Sequence, residues 1–103
     1  MVAQCDTIVL NVAKTYLSVL RRHGVVFESA WLFGSFAENR FHPDSDIDIA
    51  LVMRDIVDKF FKEVELMKYR REVDWRIEPH VLTAGEVDSP FGREVMKSGI
   101  RIA

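Results

Sequence analysis

Residues 34–48 read GSFAENRFHPDSDID, a stretch that places two aspartates directly before an apolar run. A Gly-Ser pair, Gly34 and Ser35, is followed after ten residues by Asp46 and Asp48, and an apolar run begins directly afterwards at Ile49. Two carboxylates this close repel each other, and burial beside an apolar strand makes it costly to keep both charged. The stretch is therefore either a solvated turn or a site where another group shares the two charges.

Helices and strands alternate along the chain. Apolar residues at helical spacing predict a first helix that ends at Gly24, a glycine placed for a left-handed cap. The run VVFESAWLF predicts a buried strand, and Ser35 with Glu38 matches a capping box for a short helix that His42 and Pro43 end. The predicted elements, besides this short helix, are helix 5–23, strand 25–33, strand 46–53, helix 55–71, strand 73–78 and helix 90–98.

The segment 55–78 has regular apolar patterns. Asp55 is the predicted N-cap of its helix. The helix side predicted to face the sheet carries Val57, Phe60, Phe61, Val64 and Met67. The other side, predicted to be solvated, carries Lys62, Glu63, Glu65 and Lys68. Strand 73–78 alternates, with Val73, Trp75 and Ile77 on one face and Asp74, Arg76 and Glu78 on the other, and Pro79 is predicted to end it.

These elements predict an α/β (α+β) fold in which a small mixed β-sheet is flanked by helices. A strand–helix–strand unit over 46–78 places its two strands parallel. If strand 25–33 pairs antiparallel with strand 46–53, then Gly34 and Ser35 arrive at the edge of the sheet where Asp46 and Asp48 begin. Asp74, at the start of the next strand, is predicted to reach the same edge.

The predicted cluster suits metal-assisted phosphoryl chemistry. Asp46 and Asp48 are two apart in a strand, so they point to the same side, and their hard oxygen ligands suit magnesium. With Asp74 as a third carboxylate, two metal ions could be held for in-line displacement at phosphorus, and Asp74 is best placed to help take the proton of the acceptor. A helix beginning after Gly34 would offer backbone N–H groups to phosphate, and Ser35 either caps that helix or donates to phosphate.

At these residues the sequence resembles the DNA polymerase beta superfamily of nucleotidyltransferases, and PDSDIDIALV with the small size resembles its minimal branch, the MNT domain. The resemblance implies the nucleotidyltransferase fold, magnesium, and transfer of a nucleotidyl group from a nucleoside triphosphate, usually ATP. It also implies that Gly34 and Ser35 hold phosphate, that Asp46 and Asp48 bind metal, and that Asp74 is the third carboxylate. Relatives often have an Arg-Gly pair after Gly-Ser. Here the loop is ENRFH, and Arg40 is the candidate triphosphate contact.

Composition narrows the function classes. The 103 residues suit one domain over 1–103, and a net charge of −2 argues against direct nucleic-acid binding. No apolar run approaches the roughly 20 residues of a membrane span. Cys5 is the single cysteine, so a reducing cytoplasm is the expected location. The histidines His23, His42 and His80 lack metal-ligand spacing and are expected at the surface.

Other readings of the acidic stretch fit less well. An EF-hand loop beginning at Asp44 would need Gly where Ile49 stands and Glu where Asp55 stands. Haloacid-dehalogenase-type phosphatases place Asp-x-Asp after an apolar strand, whereas here the apolar run follows. A purely structural turn remains the alternative for Asp46 and Asp48, and simple strand alternation remains the alternative for Asp74.

MNT proteins are often encoded beside a HEPN partner, a helical ribonuclease toxin, and the resemblance implies such a partner here. The 29 residues after Asp74 are too few for an acceptor-binding domain, so the acceptor is expected to come from the partner. One hypothesis is an antitoxin that transfers AMP to a hydroxyl, such as that of a tyrosine, on its toxin. The other is an antitoxin that neutralises its partner by binding alone, with an idle nucleotide site.

Overall fold

The computed structural model describes residues 7–37 and 44–103. Four strands and three helices follow one another in these ranges, with short 3₁₀ turns at Arg70–Glu72 and Ala84–Glu86. In chain order the elements are α1 (Thr7–Arg22), β1 (Ser29–Phe33), β2 (Ile47–Met53), α2 (Lys59–Tyr69), β3 (Ile77–Thr83), α3 (Pro90–Ser98) and β4 (Ile100–Arg101). The predicted α+β class with a small mixed sheet is therefore confirmed.

The four strands form one sheet in the order β3-β2-β1-β4. Strand β1 pairs antiparallel with β2, with Phe33 opposite Asp48, as the sequence predicted. Strand β3 pairs parallel with β2, with Glu78 opposite Asp48 and His80 opposite Ala50. The two-residue strand β4, which the sequence did not predict, pairs antiparallel with β1.

Helices cover the first face of the sheet and part of the second. Helices α1 and α2 cover the first face, where alternate strand residues such as Leu32, Ile49 and Ile77 join one buried cluster with Leu17 of α1 and Leu66 of α2. The buried hydroxyl of Tyr16 donates to the Leu66 carbonyl at 2.7 Å and ties the two helices together. Burial raises the pKa of Tyr16, so this hydroxyl keeps its proton.

The second face is covered only in part. Helix α3 contacts β1 there, and its Phe91 packs edge-on against Phe33. Ala50, Val52 and Leu82 alternate with the first-face residues of their strands and are buried. Asp48 and Glu78, nearer the start of β2, keep partial exposure. The second face therefore has a buried apolar part and, towards the start of β2, a half-exposed polar part.

Strand β3 begins four residues later than predicted, which changes what lies on it. The predicted strand 73–78 ending at Pro79 is wrong: Asp74 and Trp75 lie in the preceding turn, and Trp75 is 76% exposed. Pro79 lies inside β3, opposite Ile49. It is tolerated because β3 is at the edge of the sheet and the nitrogen of Pro79 faces away from β2, where no ladder hydrogen bond is required.

Side chains occupy the outer edge of β3. Arg70 donates to the Ile77 carbonyl at 3.0 Å, and the Val81 N–H donates to Glu63 at 2.8 Å. Further along, the Thr83 N–H donates to Glu86 at 3.0 Å. With the imino nitrogen of Pro79, these contacts leave little of the edge available for pairing with another strand.

Helix α2 is oriented differently from the prediction. Its N-cap is Asp58, which accepts from the Phe61 N–H, whereas Asp55 lies in a bend with φ of 57°. Of the five residues predicted to face the sheet, Met67 is half-buried and the other four are exposed. We call these four, Phe60, Phe61 and Val64 of α2 with Val57 just before the helix, the outer face of α2. Glu63, predicted to be solvated, instead reaches β3, because the free Val81 N–H on that edge needs an acceptor.

The remaining elements agree with the sequence. Gly24 follows α1 with φ of 81°, and α3 begins at Pro90 with Ser89 as its N-cap. Strand β1 is shorter than the predicted 25–33. Cys5 and most of the predicted short helix, with Glu38, Arg40 and His42, lie outside the described residues. Within the described ranges, no helix has the length and apolar character that crossing a membrane requires.

Replacing Glu63 by Ala tests the blocked edge of β3. Because the Val81 N–H then loses its acceptor, we expect the free energy of unfolding to fall by about 1–2 kcal/mol, measured by urea denaturation. Glu63→Gln keeps an acceptor oxygen and should recover most of this loss. Glu65→Ala is the matched control, since Glu65 only pairs with Lys62 on the same helix, and a cost above about 0.5 kcal/mol there would contradict the assignment.

Candidate functional site

The residues of the predicted site that the structure brings together lie on the second face of the sheet, at the start of β2. Residues in register on neighbouring strands share a face, so Phe33, Asp48 and Glu78 lie side by side across β1, β2 and β3. Asp46 precedes β2 by one residue, is exposed, and lies at the same end of that strand as Asp48.

Gly34 and Asp48 are brought together, as the sequence predicted. Gly34 has φ of 78°, a conformation that favours glycine, and it follows β1 directly. A Cβ atom on this residue would lie 2.5 Å from Asp48 Oδ2. Glycine is thus needed twice, for the turn and for room beside the carboxylate. Ser35 lies in the same turn, while its capping partner Glu38 and the candidate phosphate contact Arg40 are outside the described residues.

Asp74 does not lie beside Asp48 on a strand. Its carboxylate accepts from the Arg76 backbone N–H at 2.9 Å and from Arg76 Nη2 at 2.9 Å. These hydrogen bonds from Arg76 hold the pKa of Asp74 below its usual value. The contacts close the turn that leads into β3, so they give Asp74 a local structural task.

Glu78 occupies the strand position at which the sequence placed Asp74. It lies directly opposite Asp48, and its carboxylate forms an ion pair with Arg70 at 3.0 Å. Glu78 was not among the residues predicted for the site, and the strand was predicted to end at Pro79. A signal was nevertheless present, because the alternation of apolar residues continues past Pro79 to Val81 once a proline is allowed on an edge strand.

His80 is a second residue that the sequence analysis left out of the site. It is half-exposed as predicted, but its Nε2 lies 3.3 Å from Asp48 Oδ1. His80 also packs edge-on against Phe33, with ring centroids 5.1 Å apart, and lies 6.2 Å from the Phe91 ring. Asp48 therefore has an imidazole partner and an aromatic wall on one side, and the Gly34 turn on another.

The donor set fits a divalent cation in its chemistry. Carboxylate oxygens are the ligands that magnesium prefers, and Asp46, Asp48 and Glu78 supply them at one end of β2. In the described ranges, no three His, Cys, Asp or Glu side chains are grouped tightly enough to surround one ion. The Arg70 guanidinium pairs with Glu78, and the His80 imidazole lies within hydrogen-bonding distance of Asp48. Each of the two carboxylates on the strands therefore has a polar side chain beside it.

A known protein family matches most of this chain, including the residues of the candidate site. The model of the family described as "Polymerase beta, Nucleotidyltransferase" matches residues 14–103, which include both β1 and β2 with the Gly-Ser turn between them. The chain belongs to this family. The resemblance to polymerase beta nucleotidyltransferases inferred from Gly34, Ser35, Asp46 and Asp48 is confirmed.

Solved structures with the same fold include proteins of two kinds. A Sulfolobus solfataricus protein described as a candidate nucleotidyltransferase is 25% identical, with a TM-score of 0.66, and the match covers 90% of this chain and 78% of that one. A toxin–antitoxin structure with AMP-PNP is 23% identical, with a TM-score of 0.67 and coverage of 90% and 73%. The tri-AMPylated Shewanella oneidensis HEPN toxin in complex with MNT antitoxin is 22% identical, with a TM-score of 0.60, and the match covers 91% of this chain and 70% of that one. The comparison with curated proteins found no match.

Gly34→Ala tests the close approach to Asp48, and Gly24→Ala is its matched control. Both glycines have φ near 80°, but a Cβ at Gly24 meets no atom within 4 Å. We expect Gly24→Ala to lower the free energy of unfolding by about 1 kcal/mol through backbone strain alone, and Gly34→Ala to cost about 1–3 kcal/mol more because Asp48 must move. Thermal denaturation measures both variants. Equal losses of stability would show that the close approach of position 34 to Asp48 does not affect the free energy of unfolding.

Proposed function

We propose that this protein is a magnesium-dependent nucleotidyltransferase that transfers AMP from ATP to a hydroxyl group of a partner protein. The partner is a HEPN toxin, and this chain is the corresponding antitoxin. The observation that carries the proposal is the Gly34 turn lying against Asp48, with Glu78 opposite on the parallel strand. This arrangement combines a backbone suited to phosphate with carboxylates suited to a cation.

The Gly34 turn is the proposed phosphate-binding element. Without a Cβ atom, its backbone allows a triphosphate to approach closely. The Ser35 hydroxyl adds a hydrogen-bond donor to the same turn. Arg40, five residues after Ser35 in the sequence, is the proposed cationic contact to the triphosphate.

Asp46, Asp48 and Glu78 are the proposed metal-binding carboxylates. Glu78 is proposed in the role predicted for Asp74, because Glu78 is in register with Asp48 and Asp74 is engaged by Arg76. Magnesium bound there would neutralise charge on the triphosphate and on the displaced pyrophosphate. Arg70 pairs with Glu78, and His80 lies 3.3 Å from Asp48, so both carboxylates are positioned by neighbouring side chains.

In the transfer step, the acceptor oxygen attacks the α-phosphorus of ATP, the bond to the β-phosphate oxygen breaks, and pyrophosphate leaves. The acceptor proton passes to a carboxylate. Glu78 is the proposed acceptor of this proton, since it lies on the edge strand at the open side of the site. The partner supplies the hydroxyl. Two toxin–antitoxin complexes of the same fold, one with AMP-PNP and one with a tri-AMPylated toxin, support this assignment.

Incubation with α-labelled ATP, magnesium and the partner toxin tests the transfer. We expect label on the toxin, with loss of at least about 100-fold in rate for Asp48→Asn, because the substitution removes a metal-binding charge. Transfer that is absent, or unchanged in Asp48→Asn, would contradict the catalytic proposal. If Asp46→Asn/Asp48→Asn also neutralised the toxin fully, binding alone would be the function.

The pair Glu78→Gln and Asp74→Asn distinguishes the two candidates for the third carboxylate. We expect Glu78→Gln to lower the transfer rate by at least about 100-fold with little change in stability, because Gln can still accept a hydrogen bond from Arg70. Asp74→Asn should leave transfer within about threefold and reduce the melting temperature, since it weakens the contact with Arg76. The reverse pattern of rates would return Asp74 to the site.

A further inference from the structure

The outer face of α2 is an apolar surface without a partner in the described chain. Val57 is fully exposed, and Phe60, Phe61 and Val64 are 73%, 71% and 47% exposed. Together they present on the order of 500 Å² of apolar surface, which reaches the largest patches found on typical monomers. Scattered apolar residues need no explanation, but three on one side of a helix, with a fourth just before its start, do.

The fold itself does not require these residues. Helix α2 is fixed to the rest of the protein by its opposite side, through buried Leu66, the Tyr16 hydroxyl and the contact between Glu63 and β3. Residues 60, 61 and 64 lie within α2 at helical spacing, so they form one stripe directed away from the sheet, and the exposed Val57 lies just before the helix begins. The stripe is therefore available for contact with another protein surface.

The charges at the two ends of the stripe are opposite in sign. Asp55 and Asp58 lie at its start, and Lys68 and Arg71 lie at its end, all exposed and, within residues 7–37 and 44–103, without an ion pair. Asp58 with Lys68, and Asp55 with Arg71, are each symmetric about position 63 of the chain. Such charges favour any helix through its dipole, so it is their combination with the apolar stripe between them that is informative.

We propose that two copies of this chain associate through the outer faces of their α2 helices, packed antiparallel about a two-fold axis level with position 63. A two-fold contact brings the same patch of both copies together. In this arrangement Phe61 of each copy approaches Val64 of the other, and the acidic start of each helix meets the basic end of its partner. An acidic or a basic partner of another kind would match only one end of the stripe.

The surface is large enough for such a contact. Complete burial of these apolar residues on both copies would remove about 1,000 Å² from water, close to the lower limit for a specific interface, and the charged residues at the two ends would add to it. An interface of this size is consistent with dissociation in the micromolar range. The dimer uses none of the site residues, so it is independent of the proposed transfer reaction.

Sedimentation equilibrium of the full chain over micromolar concentrations tests the dimer. We expect the wild type to associate, and Phe61→Glu to raise the dissociation constant at least about tenfold because it puts a carboxylate into an apolar contact. Ile8→Glu, an equally drastic change at an exposed apolar residue of α1, is the matched control and should leave association unchanged.

Charge variants test the antiparallel arrangement. Lys68→Glu should weaken association about threefold to tenfold, because it faces Asp58 of the second copy, and high salt should reduce the difference. Adding Asp58→Asn in the same chain should restore association, and Asn still caps α2. A wild type that stays monomeric, association that survives Phe61→Glu, or a Lys68→Glu variant without effect would each overturn the proposal.

Discussion

Asp48 is a carboxylate at the beginning of a strand whose next five residues are all buried. A charged group is costly beside so many buried apolar residues, and the arrangement of the candidate site depends on how that cost is reduced. The strand β2 is central, so Asp48 has a neighbour on either side, Phe33 on β1 and Glu78 on β3. Room for its carboxylate exists only because Gly34 has no side chain. The imidazole of His80 lies 3.3 Å from this carboxylate, and the guanidinium of Arg70 pairs with Glu78. The cost of placing a carboxylate here is thus offset by the space that the Gly34 turn leaves and by polar partners on β3 and on the C-terminal side of α2.

Local patterns predicted the part of the fold that depends on local chemistry. Glycine and serine at the ends of elements, and apolar runs of strand length, were sufficient for α1, for the β1–β2 pair and for the meeting of Gly34 with Asp48. The strand–helix–strand unit followed from chain order. These features agree with the structure because turn residues and strand burial require the same conformation that the tertiary fold provides.

The errors arose where tertiary contacts outweigh local preference. Pro79 ends a strand in most settings, but β3 is at an edge and can include it, which moves the strand from Asp74 to Glu78. The apolar spacing of α2 identified a helix without showing which side meets the sheet. The decisive contact was the Val81 N–H, which needs an acceptor and receives it from Glu63. No helical pattern contains that information, since it depends on an edge formed 18 residues later.

The edge of β3 also limits how this protein can be recognised. Many proteins bind an extended peptide by adding it as a further strand to a sheet, using the free N–H and C=O groups of the edge. Arg70, Glu63 and Glu86 already occupy such groups on β3, and Pro79 has no N–H to offer. A partner that approaches this side must therefore be recognised through side chains, and an unfolded segment finds no template there for aggregation.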